Sequence, residues 1–150
     1  MLEQIHNDFS YQLFNTAQNT LKGSISDVNV DIIAHRYPYL QKPNYIEGIS
    51  LLSEQDIIAM KLNAISISGQ RSKDFIDIYY ALNNYSISEM VSFYRKKYDQ
   101  KSASHILKSL VYFDDIDLVD WPVMIKDPDL KWTTVKKRLE KDVMEFVGKE

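Results

Sequence analysis

The stretch from Ser53 to Leu82 constrains this chain more than any other, because it carries two helical periodicities parted by one glycine. Ser53 followed by Asp56 is a helix start. The hydroxyl can accept a bond from a free N–H of the first turn, and the carboxylate suits the positive end of the helix. Apolar residues then recur at Ile57, Ile58, Leu62 and Ile65, the spacing of one buried face. Lys61 sits inside that stripe. An ammonium there must either run its stem out to water or enter a polar pocket.

Gly69 breaks the pattern, and Ser72 opens a second helix whose buried face is Phe75, Ile78, Tyr79 and Leu82. Asp74 and Asp77 lie one turn apart on the flank of that face. A connection this short makes the two helices pack as a pair. Lys61, Arg71, Lys73, Asp74 and Asp77 are then expected at one end of it. Cations and carboxylates converging on a helix N-terminus suit a phosphate or a metal–phosphate group.

Those residues carry a resemblance. Lys61-Leu62-Asn63-Ala64-Ile65 and the run from Gly69 to Tyr79 are similar to the K-x-x-A…R-x-x-K-D-x-x-D stretch of the AbiEii/AbiGii nucleotidyltransferase toxins of bacterial abortive-infection (phage-defence) systems. Ser109-Leu110-Val111-Tyr112-Phe113-Asp114-Asp115 and Trp132-Thr133-Thr134-Val135-Lys136 resemble two further blocks, in the same order. The resemblance runs from about Asp27 to the end of the chain. It implies transfer of a nucleoside monophosphate from a nucleoside triphosphate to an acceptor such as tRNA. Two Mg2+ ions would bridge the attacking and leaving oxygens, and an antitoxin would complete the system. Family members also begin with a G-G or G-S segment and a D-x-D on a strand. Neither precedes Asp27, so the chain reads as the C-terminal part of such an enzyme, inactive and holding no cofactor by itself.

The resemblance implies roles residue by residue. Lys61 matches the motif lysine that holds nucleotide phosphates, and Arg71 and Lys73 join it as cofactor-binding residues. Asp74 and Asp77 are the catalytic candidates: Asp74 is the motif aspartate, and Asp77 supports it or orders Arg71 or Lys73. Asp31 points away from the Val28/Val30/Ile32 face, and polymerase-β-like folds complete their metal site with a carboxylate so placed.

The remaining chain reads as follows. Met1 to Leu21 has Ile5, Phe9, Leu13 and Ala17 at helical spacing, and Lys22-Gly23-Ser24 is a break. Val28, Val30 and Ile32 alternate as in a half-buried strand, and a short second strand spans Tyr45 to Leu51 around Gly48. One or two strands make no independent sheet. Ser86 and Glu89 form a capping box for a helix burying Ile87, Val91, Tyr94 and Tyr98. A helix from Ala103 to Tyr112 buries Ile106, Leu107, Leu110 and Val111. Phe113 to Trp121 is an acidic loop, so Asp114, Asp115 and Asp117 are solvated rather than calcium ligands. The last helix, from Thr133 or Thr134, points Val135, Leu139, Val143 and Phe146 inward. Its Lys136, Lys137, Arg138 and Lys141 form a solvated basic face. His6, His35 and His105 lack metal-ligand spacing.

The fold class is therefore α+β: one mainly helical domain with a small β element, an incomplete polymerase-β-like nucleotidyltransferase fold. Residues 1–52 are its helix and strands, and 53–150 its helical part. A 45% hydrophobic share over 150 residues is enough for a core. There is no cysteine, so disulfides are excluded. No apolar run reaches the ~20 residues that cross a bilayer, and Met1-Leu2-Glu3-Gln4 lacks a signal peptide's basic start. The expected location is cytoplasmic. A net charge of -3 gives no general field for nucleic acid. The competing reading is a non-enzymatic helical module pairing with a separate N-terminal half or with itself, because helices built to cover an absent sheet leave an apolar patch.

Overall fold

A computed structural model describes residues 10–119 and 121–149. Contacts gather the chain into two compact units, Met1–Tyr37 and Pro38–Glu150.

The described part of the first unit is a three-stranded antiparallel sheet in the order β1-β2-β3: β1 (Tyr11–Ala17), β2 (Thr20–Ile25) and β3 (Val28–Ile33). Tight turns join them, with Asn19, Ser26 and Asp27 at positive φ. Directly paired residues share a face. Leu13–Gly23–Val30 and Thr16–Leu21–Ile32 therefore line one side, and Asn15–Lys22–Asp31 the other. The β3 alternation is as the sequence indicates. The helix expected over Met1–Leu21 is corrected, since Tyr11–Ala17 is a strand and β2 begins at Thr20. The rest of that expectation, residues 1–9, lies outside the described residues. The break expected at Lys22-Gly23-Ser24 is the middle of β2, where Gly23 is buried.

The second unit opens with a small hairpin of β4 (Asn44–Ile46) and β5 (Ile49–Leu51). Glu47 and Gly48 both take positive φ, 50° and 81°, at its tip. Such a two-residue turn matches the twist of paired strands and favours glycine. The single strand expected over Tyr45–Leu51 is thus two strands.

Five helices follow: α1 (Glu54–Ile67), α2 (Ser72–Ala81), α3 (Ile87–Tyr98), α4 (Ser104–Leu110) and α5 (Trp132–Val147). α1 is the hub, packing against α2, α3 and α4, while α5 closes over the last three. The core joins Ile58, Leu62 and Ile65 of α1 to Phe75 and Ile78 of α2, Met90 and Tyr94 of α3, Ile106 and Leu110 of α4, and Val135 and Leu139 of α5. Ile57, expected inward, is exposed; the buried stripe runs through Ile58, Ala59, Leu62 and Ile65 instead. Val111 is likewise exposed, one residue beyond the end of α4. Phe113 stacks against Phe75 and Trp132, anchoring the acidic loop that follows. On α5, Lys136–Glu140, Arg138–Asp142 and Lys141–Glu145 pair four residues apart, the pattern of a solvated basic face. The molecule is α+β, mainly helical with small antiparallel sheets.

Candidate functional site

The α1–α2 junction is built by backbone rules. Ser68 caps α1, and Gly69 follows at φ +62°, in the left-handed region that glycine enters without penalty. The chain can then turn and restart at Ser72, with Arg71 as the N-cap residue. Asp74 lies in the first turn of α2 and Asp77 one turn on, both facing α1.

There Lys61 meets them. Its ammonium donates to Asp74 Oδ1 at 2.7 Å and lies 2.6 Å from Asp77 Oδ2. The two arms differ in environment: the Asp74 side chain is 5% exposed and that of Asp77 50%. The Arg71 guanidinium stands 3.8 Å from the second oxygen of Asp74. One buried carboxylate thus holds two cations side by side. Burial acts to lower the Lys61 pKa, but the bonds to and charges of Asp74 and Asp77 outweigh it and raise the pKa above the ordinary lysine range. The ammonium stays charged and fixed. Beside it, Gln70, Arg71, Ser72, exposed Lys73 and Asp117 line a cleft of about 220 Å3. Asp117 is drawn in by its backbone N–H, which donates to the Gln70 carbonyl at 2.9 Å. Ser72 is buried there, and its hydroxyl has no hydrogen-bond partner.

Four of the six singled-out residues therefore come together: Lys61, Arg71, Asp74 and Asp77. Lys73 lies on the same cleft without joining the ion pairs. Asp77 meets Lys61, not Arg71 or Lys73. Asp31 belongs to the first unit, on the polar face of β3, where it pairs with Lys22 at 3.6 Å with both side chains half exposed. Magnesium takes about six oxygen ligands. Asp31 supplies the right donor type but only one carboxylate, and no three His, Cys, Asp or Glu side chains gather among the described residues. These residues do not make a magnesium site by themselves.

One polar constellation escaped the sequence reading. Asp56 and Lys97 form a fully buried ion pair at 2.7 Å. The carboxylate also accepts from Leu40 N, Gln41 N and Ser53 Oγ, and the Lys97 ammonium also donates to Pro38 O. The signal was available. Lys97 continues the Met90–Tyr94 stripe of α3, the same anomaly that drew attention to Lys61.

This pairing of a short helix hairpin with a Lys–Asp–Asp–Arg cluster is found on a chain whose sequence is recognisable as a whole. The family model for the AbiEii toxin, a nucleotidyltransferase of type IV toxin–antitoxin systems, matches residues 5–147. The chain belongs to that family. An uncharacterized protein of Aquifex aeolicus (strain VF5) is 29% identical over 135 residues, covering 87% of this chain and 63% of the relative. The chain thus spans less than two thirds of that relative's length. No solved structure matches.

Among the described residues, no helix is long and apolar enough to cross a membrane.

Proposed function

We propose that the α1–α2 junction is the phosphate-holding part of a nucleotidyltransferase that moves a nucleoside monophosphate from a nucleoside triphosphate to a hydroxyl acceptor, with tRNA as the acceptor class. The α-phosphorus–oxygen bond to pyrophosphate breaks, a bond to the acceptor oxygen forms, and the hydroxyl proton leaves to a base or to water. The observation that carries this reading is the Lys61 ammonium, kept charged and aimed by Asp74 and Asp77 at the head of α2. Arg71 and Lys73 add charge along the neighbouring cleft for the remaining phosphate oxygens. Asp74 acts by orienting Lys61 and Arg71, and Asp77 by closing the other side of the ammonium. Asp31 would be one magnesium ligand of the polymerase-β-like core. We place the activity in the cytoplasm, in phage defence.

By itself the chain should bind nucleoside triphosphate and transfer nothing. Equilibrium binding of a labelled nucleoside triphosphate to the chain and to Lys61→Met tests the reading. Unchanged binding in Lys61→Met sinks it. Incubation with labelled triphosphates, magnesium and total RNA should leave the RNA unlabelled. Labelled RNA would mean that the catalytic residues lie elsewhere.

A second reading rests on the exposed apolar side chains of the sheets: Leu13 and Val28 in the first unit, Tyr45, Ile46 and Ile49 in the second. It makes the chain an interaction module for a separate N-terminal half or a second copy. A monomer by light scattering that binds no hydrophobic dye counts against it.

A further inference from the structure

We infer that Asp77 is a releasable stand-in for phosphate: its carboxylate occupies the place on Lys61 that a phosphate oxygen takes, and the ligand displaces it. This rests on the phosphate reading of the site and adds to it how the site is held shut when empty.

The two arms on Lys61 are unequal. Asp74 is almost wholly buried, and its other oxygen faces Arg71, so withdrawing it strands a charge away from water and loosens two cations at once. Asp77 is half exposed and touches only Lys61 among the ion pairs, so water can solvate it when it swings away. The Lys61 side chain is itself 28% exposed, so the pair is not sealed from solvent. An anion approaching Lys61 therefore meets one arm that is costly to break and one that is cheap.

Charge requires the same exchange. Lys61 and Arg71 are balanced by Asp74 and Asp77, so the empty cluster is neutral and has no net pull on a polyanion. A phosphate oxygen against Lys61 with Asp77 still in place would set a third anion on an ammonium that already holds two. Once Asp77 has turned to solvent, Asp74 still holds Lys61 aimed, and the cluster has one uncompensated positive charge facing the ligand. A carboxylate and a phosphate oxygen make the same kind of short charge-assisted bond to an ammonium, so the swap conserves the bond. Asp77 is thus a gating residue that tunes affinity and selects for ligands charged enough to displace it.

Titration calorimetry with inorganic tripolyphosphate, in EDTA and again with magnesium, tests this on the whole chain. Asp77→Asn should bind about five-fold tighter than the unaltered chain, the size of an exposed ion pair. Asp77→Glu, which keeps the charge and can still reach Lys61, should bind as the unaltered chain does. Asp115→Asn removes one charge that lies on neither arm of Lys61 and should change affinity less than two-fold, as an ordinary surface substitution does. If Asp77→Asn binds no tighter, or binds more weakly in magnesium, the stand-in role is overturned and Asp77 is a ligand-holding group instead. An Asp115→Asn gain as large as that of Asp77→Asn overturns it too, by reducing the effect to general charge. Lys61→Met separates the phosphate site from the gate. If it loses tripolyphosphate binding while Asp77→Asn gains nothing, only the gate fails. If Lys61→Met binds normally, the phosphate reading fails and the gate with it.

Discussion

An ammonium between two carboxylates is held by unequal partners, and the inequality is measurable without any ligand. Asp74→Asn keeps the volume of a buried side chain but removes the charge from two cations. It should lower unfolding free energy by about 1.5–3 kcal/mol, the range for a hydrogen bond to a charged group. Asp77→Asn should cost under about 1 kcal/mol, because water screens a half-exposed pair. Urea denaturation of both variants decides; equal losses would mean that the two arms are equivalent.

Elements place those residues, and two backbone features do most of that placing. Gly69 lets α1 end and α2 begin within a few residues, which is what brings Lys61 over the first turn of α2. Gly69→Ala puts a Cβ at φ +62°, 3.3 Å from the Ile65 carbonyl oxygen. The left-handed conformation alone costs about 1–2 kcal/mol, so its thermal midpoint should fall and its Lys61 pairs loosen together. Ser53→Ala should cost about 1–2 kcal/mol. The hydroxyl caps α1 by accepting from Asp56 N at 3.1 Å and also donates to the Asp56 carboxylate at 2.6 Å. Differential scanning calorimetry reads both variants, and a midpoint unmoved in either would remove that feature from the account.

The helix pair was legible in the sequence because the Ser53 cap that starts α1 and the glycine that follows its end are local signals, although α2 starts at Ser72 without a side-chain cap. So was the capping box of α3, which forms as its spacing indicates. The first sheet was not legible, for two reasons. The register of β1 shifts between Leu13 and Asn15, so the strand's alternation changes parity midway and its apolar residues fall at spacings that mimic a helix. Gly23, which signals a turn in isolation, sits instead at a sheet centre between Leu13 and Val30. Neither can be seen without the partner strands. The Lys61 cluster was legible as a convergence of charges, but which carboxylate met which cation depends on side-chain reach.

At the scale of the helical unit, the Asp56–Lys97 pair ties together pieces far apart in sequence: the segment Pro38–Gln41, the first turn of α1 and the last turn of α3. A buried pair of this kind is weak evidence for net stability but strong evidence for a fixed arrangement, since either partner alone would be stranded. Burial acts to raise the Asp56 pKa, yet Lys97, Ser53 and the two backbone N–H groups together bring it down from 3.8 to about 2. A depressed folded-state pKa gives stability that is fully present above the unfolded value of 3.8 and is lost as pH falls through about 2. The gap corresponds to about 2 kcal/mol. Asp56→Asn has no such proton to take up, and protonated Asp56 in acid resembles it. The stability difference between the unaltered chain and Asp56→Asn should therefore shrink by about 2 kcal/mol between about pH 5 and about pH 2. Lys97→Met should lose about 3–5 kcal/mol at neutral pH, because it leaves the carboxylate buried and unpaired. Urea midpoints taken at stepped pH follow both effects. A difference that stays constant across the acid range would mean that the Asp56 carboxylate gains nothing from Lys97, and that Pro38–Gln41 is held to the helices by packing alone.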